Sequence, residues 1–221
     1  MTFTQIKGVA FDLDGVLADT AKFHTIAWRQ LAESLGVTWT PELQEALKGI
    51  DRMGSLDLIL QAGNLAHQYS QQELQKLANQ KNEAYKKLIA TLTPNDILPG
   101  MQSFLEELRA QGYKLSVASA SKNAPAILGR LEIAHYFDGV VDPATLHAGK
   151  PDPEIFRRAA EILDLKPDQV MGLEDAEAGI QSIRGAHEVA IGIGVPGDVT
   201  FTNTNEVSLQ NIREQFEKKF N

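Results

Sequence analysis

The sequence contains no cysteine. Disulfide bridges, cysteine-ligated zinc and thiol nucleophiles are therefore excluded, and any metal site must use oxygen or imidazole ligands. No apolar run reaches the roughly 18 residues that a membrane helix needs. The opening segment, Met-Thr-Phe-Thr-Gln-Ile-Lys-Gly, lacks the basic-then-apolar layout of a secretory leader. A soluble, cytoplasmic chain with no membrane partner is expected. Basic residues are in deficit: 21 Lys+Arg stand against 29 Asp+Glu, a formal net charge of −8. Phosphate backbones are held by dense Lys/Arg surfaces, so no nucleic-acid partner is expected either. Internal repeats, low-complexity stretches and flexible linkers are absent, and a monomer is the expected state.

What is present is an ordinary globular composition of 221 residues, 43% hydrophobic and 23% charged, enough for one large domain or a domain with a sizeable insertion. Gly8 to Leu13 reads as a short strand covered on both faces. From about residue 20 to 91 the signals are helical. Phe23, Ala27, Leu31 and Leu35 share one face and Gly36 ends the run; Thr40-Pro41 starts a second helix; Leu56, Ile59 and Leu60 mark a third, stopped by Gly63. A fourth opens on the capping box Ser70-Gln71-Gln72-Glu73 and carries an apolar stripe from Leu74 to Leu88 that includes Tyr85. After Leu98-Pro99-Gly100 the reading alternates: helix 101–111, strand 113–118, helix 124–132, strand 138–141, helix 153–164, strand 169–173, helix 176–185, strand 189–194, with an amphipathic helix over the last dozen residues. Such alternation implies an α/β fold, a Rossmann-like parallel sheet wrapped by helices. The first strand belongs to that sheet if residues 16–91 are a helical cap inserted after it, leaving 1–15 and 92–221 as the α/β core.

Parallel α/β sheets bind ligands at the carboxyl ends of their strands. There stand Asp12 and Asp14 before Gly15, Ser119-Ala120-Ser121-Lys122, Lys150-Pro151, and Glu174-Asp175. Four acidic side chains, two hydroxyls and two lysines thus converge on one edge. The carboxylates would repel one another without a cation, and an oxygen-rich set without cysteine describes a hard-cation site, for which Mg²⁺ is the natural occupant. Lys150 and the Ser119 hydroxyl are placed to take phosphate oxygens, so the edge reads as a phosphoryl-transfer site. Asp12 and Asp14 are two residues apart, and a bend at Gly15 lets one carboxyl attack phosphorus while the other moves a proton.

The run Phe11-Asp12-Leu13-Asp14-Gly15-Val16, with Ser119, Lys150-Pro151 and Gly172-Leu173-Glu174-Asp175, resembles the motif set of the haloacid dehalogenase superfamily. The insert narrows the resemblance: His24-Thr25-Ile26-Ala27-Trp28, Leu47-Lys48-Gly49-Ile50-Asp51-Arg52, Ser55-Leu56 and Ser119 to Ala124 are similar to the β-phosphoglucomutase family. The resemblance implies interconversion of β-D-glucose 1-phosphate and β-D-glucose 6-phosphate through a 1,6-bisphosphate, a phosphorylated hexose being the substrate. It implies Asp12 as nucleophile and Asp14 as acid/base, with Mg²⁺ held by Asp12, the Asp14 carbonyl, Asp175 and Glu174. The phosphate- and substrate-binding set it implies is Thr20, His24, Trp28, Lys48, Gly49, Arg52, Ser55, Lys81, Ser119, Ala120, Ser121, Lys122, Asn123 and Lys150. Two departures stand out. Met53-Gly54 replaces polar, helix-favouring residues and is expected to loosen the helix start beside Arg52, and His187-Glu188 follows Gly185 where the family often has a later glycine.

On the residues alone, Lys81 reads as a snorkelling lysine, and His24 and Trp28 as packing residues. The family instead pairs a histidine and a lysine at such positions to orient the substrate hydroxyl. Lys48 and Arg52 are like charges at i, i+4, mildly unfavourable unless an anion comes between them. His67, His135, His147 and His187 show no partner pattern. Three functions compete: a sugar-phosphate mutase, a sugar-phosphate phosphatase of the same superfamily, and a binding protein on a dead scaffold. Intact Asp12 and Asp14 argue against the last. A mutase must also hold the phosphate that is not being transferred, a need that Lys48, Arg52 and Ser55 meet and a phosphatase does not have.

Overall fold

Gly8–Phe11 forms β1, and every residue in it is buried. In the computed structural model, which describes residues 2–220, it is followed by four helices: α1 (Ala21–Ser34), α2 (Pro41–Ala46), α3 (Arg52–Ala62) and α4 (Gln71–Ile89). The chain then alternates through α5 (Met101–Ala110), β2 (Lys114–Val117), α6 (Ala124–Arg130), β3 (Gly139–Val140), α7 (Glu154–Ile162), β4 (Val170–Glu174), α8 (Glu177–Gly185), β5 (Val189–Ile193), β6 (Val199–Phe201) and α9 (Leu209–Phe220). Met1 and Asn221, which the expected core and terminal helix include, lie outside the described residues.

The strands form one parallel sheet of order β3-β2-β1-β4-β5-β6. Beyond β1 the chain builds outward through β2 and β3, then returns to lay β4 on its other side, so β1 and β4 meet where the direction of winding reverses. That is the point at which such sheets bind ligands. The expected fold is present, with corrections in detail. The first strand ends at Phe11 rather than Leu13, the strand expected at 138–141 is only two residues long, and β6 was not expected.

The two faces of the sheet differ in bulk. Val9, Phe11, Leu115, Val117, Met171, Leu173, Val189 and Ile191 pack with α5 and α9 into the larger core. On the other face the register brings together Ala10, Ser116, Gly172 and Ala190. These small residues let α7 and α8 approach closely. A Cβ at Gly172 would stand 2.7 Å from Ile183 Cγ1 of α8.

The inserted helices have a core of their own, including Trp28, Leu31, Leu43, Leu56, Ile59 and Ala78. Their starts are capped as their sequences direct. Thr40 Oγ1 accepts from Leu43 N–H ahead of Pro41, and Ser70 and Glu73 form a reciprocal capping box. Asp51 Oδ1 accepts from Met53 and Gly54 N–H at 2.8 and 3.1 Å. The loosening expected at Met53-Gly54 is therefore absent: a bonded aspartate cap, worth about 1 kcal/mol, fixes the start of α3 at Arg52.

Glu188, just before β5, is 5% exposed, and neither of its carboxylate oxygens has a hydrogen-bond partner. Burial pushes its pKa well above the ordinary 4.5. The folded state thus holds a proton that the unfolded chain releases, so the contribution of Glu188 to stability is fully present below about pH 4.5 and is lost as pH rises toward the folded-state pKa. Glu188→Gln should raise the melting temperature at pH 8 by about 3 °C, on the order of 1 kcal/mol, with the gain vanishing toward pH 4. Thermal melts of both proteins across that range check it; a gain independent of pH would contradict the assignment.

Candidate active site

One residue past β1, Asp12 N–H still donates to Leu173 O of β4 at 3.0 Å, so the sheet's own ladder fixes this aspartate at the winding reversal. Lys150 reaches it from the loop before α7 and places its ammonium 2.5 Å from both Asp12 Oδ1 and Glu174 Oε1. That loop is fastened at both ends. Glu154 accepts from the His147 and Ala148 N–H groups, and the Ser182 hydroxyl donates to Asp152 O at 2.6 Å. Burial works against a charge on Lys150, but Asp12 and Glu174 outweigh it and push its pKa up. Removing the lysine would leave two buried carboxylates unpaired, at about 3–5 kcal/mol.

Glu174 is fully buried, and its second oxygen accepts from Ala176 N–H at 2.9 Å. Its oxygens thus meet Lys150 and the backbone, and it does not line the cavity. Asp175 does. Its carboxylate lies against Gly15, whose φ of +87° is open to glycine and which has no room for a Cβ beside Asp175 Oδ2. Burial first, then the Glu174 charge, push the Asp175 pKa up to about 7. Burial likewise raises that of Asp12, with Lys150 opposing and Glu174, Asp14 and Asp175 reinforcing. One ammonium is too little charge for this set. A divalent cation between Asp12 and Asp175 would restore the balance. Among the described residues no three His, Cys, Asp or Glu side chains close into a cage, which suits Mg²⁺, an ion that binds few carboxylates and keeps water or phosphate oxygens.

Asp14 faces the inserted helices. Thr20 Oγ1 donates to its Oδ1 at 2.5 Å, Tyr85 OH donates to the same oxygen at 3.4 Å, and His24 Nε2 lies 3.6 Å from Oδ2. Burial alone would raise the Asp14 pKa, but His24, Thr20 and Lys81 outweigh it and hold it below the usual range. Lys81 Nζ is 2.8 Å from His24 Nδ1 and sits over the rings of Trp28 and Tyr85 at 4.5 and 4.6 Å. Burial lowers its pKa to about 7. An ammonium donating to Nδ1 leaves the His24 proton on Nε2, aimed at Asp14. Lys81 therefore does not snorkel; it ends a relay from α4 through α1 to Asp14.

An open cavity of about 890 Å³, counting its mouth, separates the two sides. Asp12, Asp14, His24, Trp28, Lys48, Gly49, Arg52, Lys81, Ala120, Ser121, Lys122, Asn123 and Asp175 line it. Lys48 also pairs with Glu45 at 2.8 Å. Thr20, Ser55, Ser119 and Lys150 stand behind the wall. Ser55 is on the buried face of α3, its hydroxyl turned to Ile50 O at 3.4 Å, and Ser119 Oγ accepts from Ser121 N–H at 3.1 Å, which shapes the loop and leaves the hydroxyl proton of Ser119 free to donate. Sequence reasoning missed Tyr85, read only as part of an apolar stripe, and Trp39, Gln44 and Asn82, which also line the cavity. The seam between insert and sheet unit is nearly free of charge pairs. Among the described residues every ion pair lies within one part or the other except His24–Asp14. Elsewhere Gly49 packs on Ala176 and Gly149 on Asp51.

The haloacid dehalogenase-like hydrolase family model matches residues 6–187. The chain is 42% identical over 218 residues to a β-phosphoglucomutase of Bacillus subtilis, covering 96% of each protein. It is 30% identical over 183 residues to a phosphorylated carbohydrates phosphatase of Thermotoga maritima, covering 82% of each. A crystal structure of a β-phosphoglucomutase from Clostridium difficile superposes with a TM-score of 0.93 at 39% identity, over 96% of this chain and 98% of that one. Matched along most of its length in sequence and along nearly all of it in shape, the chain belongs to the haloacid dehalogenase-like hydrolases, in their β-phosphoglucomutase group.

Proposed function

We propose that the protein interconverts β-D-glucose 1-phosphate and β-D-glucose 6-phosphate as a phosphomutase, with Asp12 as nucleophile and Asp14 as general acid/base. The observation that carries the assignment is the pair of opposed groups across one cavity: the lysine-held Asp12 on the core side and, on the insert, Arg52 with no carboxylate partner among the described residues. A phosphatase of small esters needs only the first.

In the forward direction a phosphoryl group on Asp12 passes to the sugar's 6-hydroxyl as Asp14 takes the hydroxyl proton. The bisphosphate then presents its other end. An Asp12 oxygen attacks the C1 phosphorus, the bond from phosphorus to the sugar oxygen breaks, and Asp14 returns the proton to that oxygen. His24, oriented by Lys81, fixes the angle at which Asp14 meets the hydroxyl, and Lys150 holds Asp12 in place. Asp12, Asp175 and the Asp14 carbonyl would hold Mg²⁺, which supplies positive charge to the phosphoryl oxygens. The phosphate that is not reacting rests between Arg52 and the Ser121-Lys122-Asn123 loop.

EDTA dialysis should abolish conversion of β-glucose 1-phosphate, and added Mg²⁺ should restore it. Restoration by zinc alone would contradict the oxygen-ligand site. Arg52→Ala should lower mutase kcat/KM by at least tenfold, about 1.4 kcal/mol or more of transition-state stabilisation. Glucose 6-phosphate formed and inorganic phosphate released are measured side by side, with a trace of 1,6-bisphosphate present. A wild-type protein that releases phosphate faster than it makes glucose 6-phosphate is a phosphatase, and the mutase assignment then fails.

A further inference from the structure

Asn82, the residue after Lys81 on α4, belongs to neither the transfer site nor the Asp14 relay, yet it touches both walls of the cavity. Its Oδ1 accepts from Arg52 Nη2 at 2.8 Å and from Asn123 Nδ2 at 3.0 Å. The amide's orientation follows from chemistry: turned over, its NH₂ would face the Arg52 guanidinium, which can only donate. Asn123 stands at the N-cap position of α6 but makes no side-chain cap bond to that helix. Its amide reaches across to the insert instead.

We propose that Asn82 is a positioning residue that holds Arg52 and Asn123 together as a single donor pair for the distal phosphate. A lone half-buried guanidinium on a flexible stem would sample many rotamers, and phosphate would have to order it on binding. The Asn82 oxygen supplies that order in advance and places donors from the insert and from the sheet unit around one point. Its neutrality matters as much as its shape. Among the described residues no carboxylate lies within ion-pair distance of Arg52, and Glu83 acts on it only at longer range. An aspartate at position 82 would give the same geometry but satisfy the arginine, and an incoming phosphate would have to displace a charge. Asn82 orients the cation and leaves its charge unspent.

The inference rests on the mutase reading, and the experiment separates the two. Steady-state KM and kcat for β-glucose 1-phosphate are measured for wild type, Asn82→Asp, Asn82→Ala, Arg52→Ala and the double variant Arg52→Ala/Asn82→Ala, with thermal melts for each. Asn82→Asp should raise KM by about tenfold while kcat falls less than about threefold, and Asn82→Ala should raise KM less than Asn82→Asp does. In the Arg52→Ala background, adding Asn82→Ala should change KM by less than about twofold, because the group it positions is gone. If both Asn82 variants keep the wild-type KM while Arg52→Ala raises it, the Asn82 inference is overturned and the distal site stands. If Arg52→Ala also keeps the wild-type KM, the distal site and the inference fall together. A loss confined to kcat would place Asn82 with the reacting groups and overturn the inference as well.

Discussion

Two buried carboxylates share one ammonium at the reversal of the sheet, and the rest of the site is arranged around that triad. Lys150 could not remain charged there without both Asp12 and Glu174, and neither carboxylate could be buried without the lysine. The sheet ladder sets where Asp12 stands, the loop before α7 sets where Lys150 arrives, and Ala176 N–H holds the free side of Glu174. The attacking oxygen is thus located by three separate stretches of chain before any substrate enters.

The insert solves a different problem. Asp14 must gain and lose a proton while it stands a few residues from Asp12, and its environment is built from groups on α1 and α4 that donate to it or carry positive charge. Burial raises the pKa of Asp12 and Asp175, whereas on Asp14 that effect is outweighed by His24, Thr20 and Lys81. Two aspartates on one short loop therefore acquire different tasks because they face different halves of the protein.

The acidic edge and the inserted helices were legible in the sequence because their signals are local: strand ends, caps and periodic apolar faces. The separate jobs of Glu174 and Asp175 were less so. Adjacent residues at the end of a strand point to opposite sides, so Asp175 lines the cavity while Glu174 turns to Lys150, a division that an acidic pair does not display in sequence. Asn82 was invisible for another reason: its partners lie 30 and 41 residues away in sequence and no periodic pattern links them. β6 is three residues long, too short for alternation to show.

The near absence of ion pairs along the seam between insert and sheet unit bears on how the protein opens. Separating opposite charges from a low-dielectric interface costs several kcal/mol and varies strongly with salt. Here the two halves meet through glycine backbone, the neutral Asn82 amide and one cluster of donors on Asp14, from Thr20 at 2.5 Å, Tyr85 at 3.4 Å and His24 at 3.6 Å, so the electrostatic work of drawing them apart is concentrated at that one carboxylate. The carboxylate that exchanges a proton is thereby also the point at which insert and sheet unit are fastened to each other.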